Sequence, residues 1–174
     1  EAETKFEEAA RAAAAVLAQR PSDPEAIFAH AQSEFWTGFA AWQQSALVTT
    51  QRHWRAYLAQ AEALALREPG SRRALMELGY ANGNLCELTM RQSRDARQAL
   101  PWCEKATRLM RQAARLPAAT RQNQLDLANR LGWQADVVGK DRQFDRALAL
   151  RREEAAIIAA LLKAEPENRQ LRER

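Results

Sequence analysis

Residues 131–148 read LGWQADVVGKDRQFDRAL, a stretch that contains two helical patterns and the turn between them. The turn falls at Gly139-Lys140-Asp141, because glycine and aspartate favour turns over helix interiors. A second helix-forming run, rich in alanine and leucine, then continues to Glu165 and stops at Pro166. We therefore expect a helical hairpin over this part of the chain.

Prolines recur along the whole chain at a nearly constant spacing. Pro21, Pro69, Pro117 and Pro166 are separated by 48, 48 and 49 residues. Each follows a helical run, and proline neither continues a helix nor favours helical geometry in the residue before it, so we expect four equivalent helix ends. N-cap residues follow three of these prolines, and they are Asp23 (before Pro24), Ser71 and Thr120.

The same period appears inside the units. Two rows of small residues keep the spacing of 48 and 49, and they are Ala31, Gly79 and Ala128, and Gly38, Cys86 and Ala135. One row of large apolar residues keeps it too, at Phe28, Met76 and Leu125. Small residues let two helices approach closely and large ones fill the space between them. The pattern predicts one packed helical hairpin, repeated.

A unit of 48 residues is too long for one globular helix and fits two helices with a short connection. Residues 3–19 match the register of a second helix, because Ala13, Ala61, Leu109 and Ile158 keep the same period. The middle unit is expected to break near Gln92-Ser93-Arg94-Asp95. We predict an all-α, right-handed α-solenoid of about seven helices in one domain, 1–174. Its parts are an orphan or capping helix at 1–20, repeats at 21–68, 69–116 and 117–166, and a tail at 167–174.

The last unit resembles the tetratricopeptide repeat (TPR) superfamily. That family favours Leu-Gly and a small residue in its first helix, an aromatic-Asp-x-Ala-Leu opening to its second, and a proline at the exit. The matching segments are Leu131-Gly132-Trp133-Gln134-Ala135, Phe144-Asp145-Arg146-Ala147-Leu148 and Glu165-Pro166. The middle unit resembles it through Glu68-Pro69-Gly70-Ser71 and Asn82-Gly83-Asn84-Leu85, whereas the first has Phe35 where later units place Gly83 and Gly132.

The period exceeds the usual TPR length of about 34 residues, so longer helices are expected. It is similar to elongated TPR-like arrays of large bacterial signalling proteins, which follow ATPase, protein-kinase, TIR or caspase-like domains. HEAT-type repeats, of about 40 to 47 residues, are the structural alternative. The chain also starts without methionine, from which we expect a domain excised from a longer protein.

The resemblance implies that the first helices of successive hairpins line a concave binding surface. Positions spaced 3, 4 and 3 apart share a helix face there. The candidate residues on that face are Gln32, Trp36, Glu77, Tyr80, Asn84, Glu87, Asp126, Asn129, Trp133 and Asp136. Carboxylates pair with Lys or Arg and rings supply cation–π contact, so we expect a basic, partly aromatic peptide or helix as partner. The alternative is an ordinary polar face, with Trp36 and Phe39 packed as core.

Composition limits the classes of partner and the cellular location that the sequence favours. The 26 basic and 22 acidic residues, a net charge of +4, are interleaved, whereas a nucleic-acid reader more often carries a basic cluster. No apolar run is long enough for a membrane span. Cys86 and Cys103 show neither a disulfide framework nor metal-ligand spacing, which favours a reducing compartment and a cytoplasmic location.

Catalytic groups are sparse. His30 and His53 are 23 residues apart without a zinc motif, and no glycine-rich phosphate loop is present. We therefore predict no enzyme activity, cofactor or metal, and a module that binds protein or peptide on its concave face. The alternative is an intramolecular sensor or autoinhibitory arm that packs against a neighbouring effector domain. Open solenoid ends would also permit homo-oligomers.

Overall fold

The computed structural model describes residues 2–93, 95–168 and 171, with side chains from residue 5 onward. This part of the chain forms seven α-helices and no strand. The helices are α1 (Ala2–Gln19), α2 (Pro24–Gln43), α3 (Leu47–Arg67), α4 (Arg72–Gln92), α5 (Leu100–Arg115), α6 (Arg121–Lys140) and α7 (Phe144–Ala164), with a 3-10 turn at Ala96–Gln98 before α5. The all-α prediction and the helix number are confirmed. Arg94 and most of the predicted tail lie outside the described residues.

The predicted N-caps stand where the sequence placed them. The Asp23 carboxylate accepts a hydrogen bond from the backbone N–H of Glu25 at 3.0 Å, and Pro24 opens α2. The Ser71 hydroxyl accepts from the backbone N–H of Ala74 at 3.1 Å. Thr120 forms a reciprocal capping box with Asn123 at the start of α6. Each cap satisfies a backbone donor that the first helical turn leaves free.

Each helix packs against the helices before and after it in sequence, which makes an α-solenoid. The core is a series of clusters between neighbouring helices. One cluster joins α4, α5 and α6 through Met76, Met110, Leu127 and Leu131. Another joins α2, α3 and α4 through Ala31, Tyr57, Ala61 and Ala81. Every hairpin is therefore stabilised by its neighbours.

The two rows of small residues are buried at all six positions. At Gly38 an added Cβ would lie 2.7 Å from Nε1 of Trp54, and at Gly79 it would lie 2.7 Å from Cε of Met110. Both distances are shorter than normal van der Waals contact. Gly38 is therefore required because the rigid Trp54 ring of α3 lies so close, whereas at Gly79 the flexible end of the Met110 side chain on α5 would have to shift.

The cysteine prediction was wrong. Cys86 on α4 and Cys103 on α5 form a disulfide, with Cα atoms 5.2 Å apart. The two residues face each other across the second hairpin and pack in a cluster with Ala99 and Val137. Their 17-residue separation carries no sign of this pairing, which depends on how the two helices are rotated. Disulfides persist in oxidising compartments, so the argument for a reducing compartment loses its basis.

Candidate binding surface

Four of the predicted residues meet around one cavity of about 310 Å³. They are Gln32, Glu77, Tyr80 and Asn84, and the cavity wall is completed by Phe35, Tyr57 and Arg130. The cavity therefore lies where α2, α4 and α6, the first helices of the three hairpins, meet α3. The polar groups of its wall are those of two hydrogen-bond networks, the guanidinium of Arg130 and the amide of Asn84.

The first network is centred on the carboxylate of Glu77. Its Oε2 atom accepts one hydrogen bond from the hydroxyl of Tyr57 at 2.6 Å and another from Nε2 of Gln32 at 2.7 Å. Glu77 is 7% exposed. Burial raises the pKa of Glu77 above its ordinary value of 4.5, against the opposing effect of the two hydrogen bonds and of the charge of Arg73. Burial also raises the pKa of Tyr57, and the nearby Glu77 adds to that shift.

Replacing Glu77 with glutamine tests this burial. Both donors bind the same oxygen, so the amide oxygen of Glu77→Gln can accept both bonds without a buried charge. A carboxyl whose pKa is higher in the folded than in the unfolded state takes up its proton at a higher pH in the folded protein, so acid favours the folded state. Wild-type stability is therefore expected to rise, relative to the variant, as the pH falls from neutral towards 4.5. Urea unfolding at a series of pH values should show the variant more stable at neutral pH and this advantage shrinking in acid.

Glu62→Gln, at an exposed carboxyl on α3, provides the control and should show no such pH-dependent gain. A constant difference between Glu77→Gln and wild type across the pH range would contradict the burial of an ionised Glu77.

The second network is centred on Asp126. The hydroxyl of Tyr80 donates to its Oδ2 atom at 2.7 Å, and Nε2 of Gln122 donates to its Oδ1 atom at 3.0 Å. Asp126 is also 7% exposed, and burial together with this bond raises the pKa of Tyr80. The prediction that four carboxylates face a ligand therefore needs correction. Glu77 and Asp126 are buried acceptors for neighbouring side chains, because the hydrogen-bond donors of adjacent helices reach them.

Arg130 was missed in the sequence. It lies one residue beyond the predicted row, on the buried side of α6, and is 9% exposed. Its guanidinium stacks 4.2 Å from the ring centroid of Trp133 and packs against Gly83. A Cβ at Gly83 would lie 2.6 Å from Cζ of Arg130, so this glycine makes room for the cation. The available signal was the position of this arginine between Leu127 and Leu131, two apolar residues one helical turn apart.

A second cavity of about 250 Å³ brings three more predicted residues together. They are Glu87, Trp133 and Asp136, and Met90, Arg91 and Lys140 also line it. Asp136 is exposed and pairs with Arg151 of α7. Trp133 is half-buried against the disulfide cluster. Of the four predicted carboxylates, Glu87 and Asp136 are thus the two that solvent reaches.

The remaining predicted residues lie outside these two cavities. Trp36 is 45% exposed and Phe39 is 37% exposed, so neither is packed as core. The ring of Trp36 stacks on Phe6 of α1, with centroids 6.5 Å apart. Asn129 is half-buried on α6. The first hairpin therefore contributes two exposed rings that contact Phe35 in the wall of the first cavity.

The two histidines also meet, which their separation in sequence did not indicate. Nε2 of His30 lies 3.2 Å from Glu34, and Nδ1 of His53 lies 2.7 Å from the same carboxylate. Among the described residues, no three His, Cys, Asp or Glu side chains are arranged to hold a metal ion. The i,i+4 spacing of His30 and Glu34 was the available signal for half of this cluster.

In the described helices, no segment is long and apolar enough to cross a membrane. No protein-family model matches the chain, and no curated protein matches it. Among solved structures, a thermophilic TPR protein of Thermus thermophilus is similar, with a TM-score of 0.53 and 20% sequence identity. The match covers 98% of this chain and 89% of that protein. The chain therefore has a TPR-like helical-repeat fold, which confirms the resemblance predicted from residues 131–166 as a resemblance of fold.

Proposed function

We propose that this domain binds a peptide or a helix of a partner protein on the surface formed by α2, α4 and α6. The observation that carries the proposal is the convergence of seven predicted residues on two cavities of these helices. The exposed rings of Trp36 and Phe39 extend the same surface with apolar area. TPR-like folds hold partner segments in this way, and no catalytic role is proposed.

The proposed partner is basic only where it faces Glu87 and Asp136. Solvent reaches these two carboxylates, so Glu87 can pair with a lysine or arginine of the partner, and Asp136 can do so by exchanging its present partner Arg151. Trp133, which lines the same cavity, offers a ring for cation–π contact. Gln32, Tyr80, Asn84 and Asn129 would supply hydrogen bonds to the rest of the bound segment.

The proposal also covers the cellular compartment in which the protein works. The cytoplasmic expectation rested on two reduced cysteines, and the Cys86–Cys103 disulfide favours an oxidising compartment instead.

A regulatory arm within a longer bacterial signalling protein is the second candidate. It is favoured by α7, which has no buried residue and exposes Phe144 (68%) and Leu148 (49%). A neighbouring domain of the same polypeptide would cover this face, and the same face could join two copies of the chain. A domain that selects no linear peptide would favour this second role.

Charge reversal on the surface tests the leading proposal. Linear peptides are selected from a random library on the wild-type domain, and their affinities are measured by calorimetry. Glu87→Lys combined with Asp136→Lys should weaken the selected peptides about tenfold or more, since like charges then meet at the binding surface.

Asp145→Lys, which reverses an exposed carboxylate of α7 outside this surface, should leave the affinity unchanged. Circular dichroism should show equal helix content in all three proteins. Selected peptides that bind all three proteins alike would place binding elsewhere and reject the proposal.

A further inference from the structure

One oxygen of the Glu77 carboxylate is free of hydrogen bonds. Oε2 accepts both bonds of the first network, from Tyr57 and from Gln32, whereas Oε1 accepts none from the described residues. Oε1 is also not one of the buried side-chain atoms that lack a partner, so it keeps a small accessible surface. Because Glu77 lines the first cavity, that surface makes Oε1 an acceptor inside the cavity.

The amide of Gln32 supplies a second acceptor next to it. Its Nε2 atom donates to Glu77, and this bond fixes which end of the amide is the oxygen. Oε1 of Gln32 accepts no hydrogen bond in the described part of the chain and is likewise not a buried atom without a partner. The hydroxyl of Tyr57 is committed to Glu77 as a donor. Beside Glu77, the polar atoms left to a ligand are therefore acceptors, and they match a hydrogen-bond donor.

The charge of Glu77 lacks a counter-ion of its own. The cation that favours its ionised form is Arg73, whose guanidinium already pairs with Glu25 and Glu68. Burial outweighs this charge and the two hydrogen bonds, and it raises the pKa of Glu77. A buried carboxylate in this position is stabilised by any cation that reaches it.

Arg130 lies in the same wall but is not the missing counter-ion. Asp126 is the carboxylate that most favours its charged form. Its guanidinium lies against Gly83 and against the ring of Trp133. Asp126 thus balances Arg130, and the charge of Glu77 is left over at the cavity.

The rest of the wall is aromatic and limits the kind of cation. The cavity of about 310 Å³ is lined by the rings of Phe35, Tyr57 and Tyr80, and the first two have centroids 5.6 Å apart. Aromatic rings attract a cation and contact its apolar carbon atoms. A guanidinium binds a carboxylate best through both oxygens, but Oε2 of Glu77 is already occupied. A compact ammonium needs one free oxygen and fits better.

We propose that this cavity binds a primary ammonium group on a short apolar chain, with Oε1 of Glu77 as counter-ion and Oε1 of Gln32 as second acceptor. Two sources have this chemistry, a free alkylamine and a lysine side chain of a bound protein segment. The cavity alone defines the site, so a free amine binds there even if the proposed peptide binding fails. The lysine source rests on the proposed function and adds a basic position beyond those that face Glu87 and Asp136.

Butylammonium tests the free-amine source, with 1-butanol as its neutral counterpart of the same chain length. Alkylamines, like lysine, are protonated at neutral pH. Nitrogen-15 NMR of the folded domain should show saturable shifts of the Gln32 side-chain amide with butylammonium, with a dissociation constant in the millimolar range. Butanol should cause no saturable shifts, because it carries no charge to pair with Glu77.

Glu77→Gln should abolish butylammonium binding. The glutamine oxygen can keep both hydrogen bonds of Oε2, which puts an uncharged donor, its NH₂ group, in the place of Oε1. The variant is expected to fold, because it removes a buried charge and keeps these bonds. Glu62→Gln, at an exposed carboxyl on α3, is the matched control and should bind butylammonium as wild type does.

Three results would overturn the proposal. They are the absence of saturable shifts with butylammonium in wild type, equal shifts with butylammonium and butanol, and undiminished binding by Glu77→Gln. If Glu77→Gln does not fold, the comparison of the two ligands in wild type decides.

The lysine source is tested with the peptides selected above. A selected peptide that places a lysine in the cavity should lose affinity about tenfold when that lysine becomes methionine, in wild type but not in Glu77→Gln. Methionine keeps an apolar chain and removes the charge. Peptides that bind without any such dependence, combined with butylammonium binding, would assign the site to free amines. Peptides and butylammonium that both ignore Glu77 would reject the site altogether.

Discussion

Reduction of the Cys86–Cys103 disulfide is expected to lower the free energy of unfolding by about 3 kcal/mol. The bond closes a loop with a sequence separation of 17 residues, and it restricts the unfolded chain more than the folded one. It also joins α4 to α5 inside a buried cluster, so the second hairpin should be loosened first. Thermal unfolding with and without dithiothreitol should show the midpoint lowered by about 6 to 12 °C in the reduced protein.

The double variant Cys86→Ala with Cys103→Ala separates the bond from the reagent. It should melt near the temperature of the reduced protein and should not respond to dithiothreitol. A thiol assay on the unfolded, unreduced wild type should detect no free cysteine. Wild-type protein that titrates two free thiols, or that melts at the same temperature with and without reductant, would contradict the disulfide.

Gly38→Ala should destabilise the domain by about 2 kcal/mol, although alanine is the better helix former. An added Cβ would overlap the Trp54 ring, lying 2.7 Å from its Nε1 atom. That ring is 3% exposed and is held by Leu85, Leu88 and Trp42, so it has no free direction in which to move. The cost of overpacking therefore exceeds the gain in helix propensity. Denaturant unfolding monitored by circular dichroism measures the loss.

Gly139→Ala is the matched substitution at an open position. An added Cβ there would lie 3.8 Å from Cβ of Ala147, an ordinary van der Waals contact, and Gly139 is also helical. This variant should gain about 0.5 to 1 kcal/mol. Both glycines lie in the first helix of a hairpin, and the test is that their substitutions change the free energy of unfolding in opposite directions. Equal effects at both positions would show that α2 and α3 are not in the close contact described.

The architecture could be predicted because its signals are local and recur. Pro69 and Pro117 end helices through their own covalent geometry, and Ser71 and Thr120 cap helices within one turn of themselves. The candidate surface was predicted in part. Its residues were assigned to the correct helices, but helical spacing does not say whether a carboxylate meets solvent or a neighbouring hydroxyl. Glu77 and Glu87 occupy the same predicted row, and only the first is buried against Tyr57.

The sequence by itself determined the elements, their order and their repetition, because each is decided by residues within a few turns of one another. The tertiary structure alone decided which side chains meet across helices. It joined Cys86 to Cys103, brought His30 and His53 to Glu34, and buried Arg130 against Gly83 without a full set of partners among the described residues. These pairings depend on the rotation and stagger of packed helices, which small changes in side-chain packing set and a repeating sequence pattern does not specify. Residues 131–148 thus specify a hairpin, and the stacking of three such hairpins creates the cavity at Arg130.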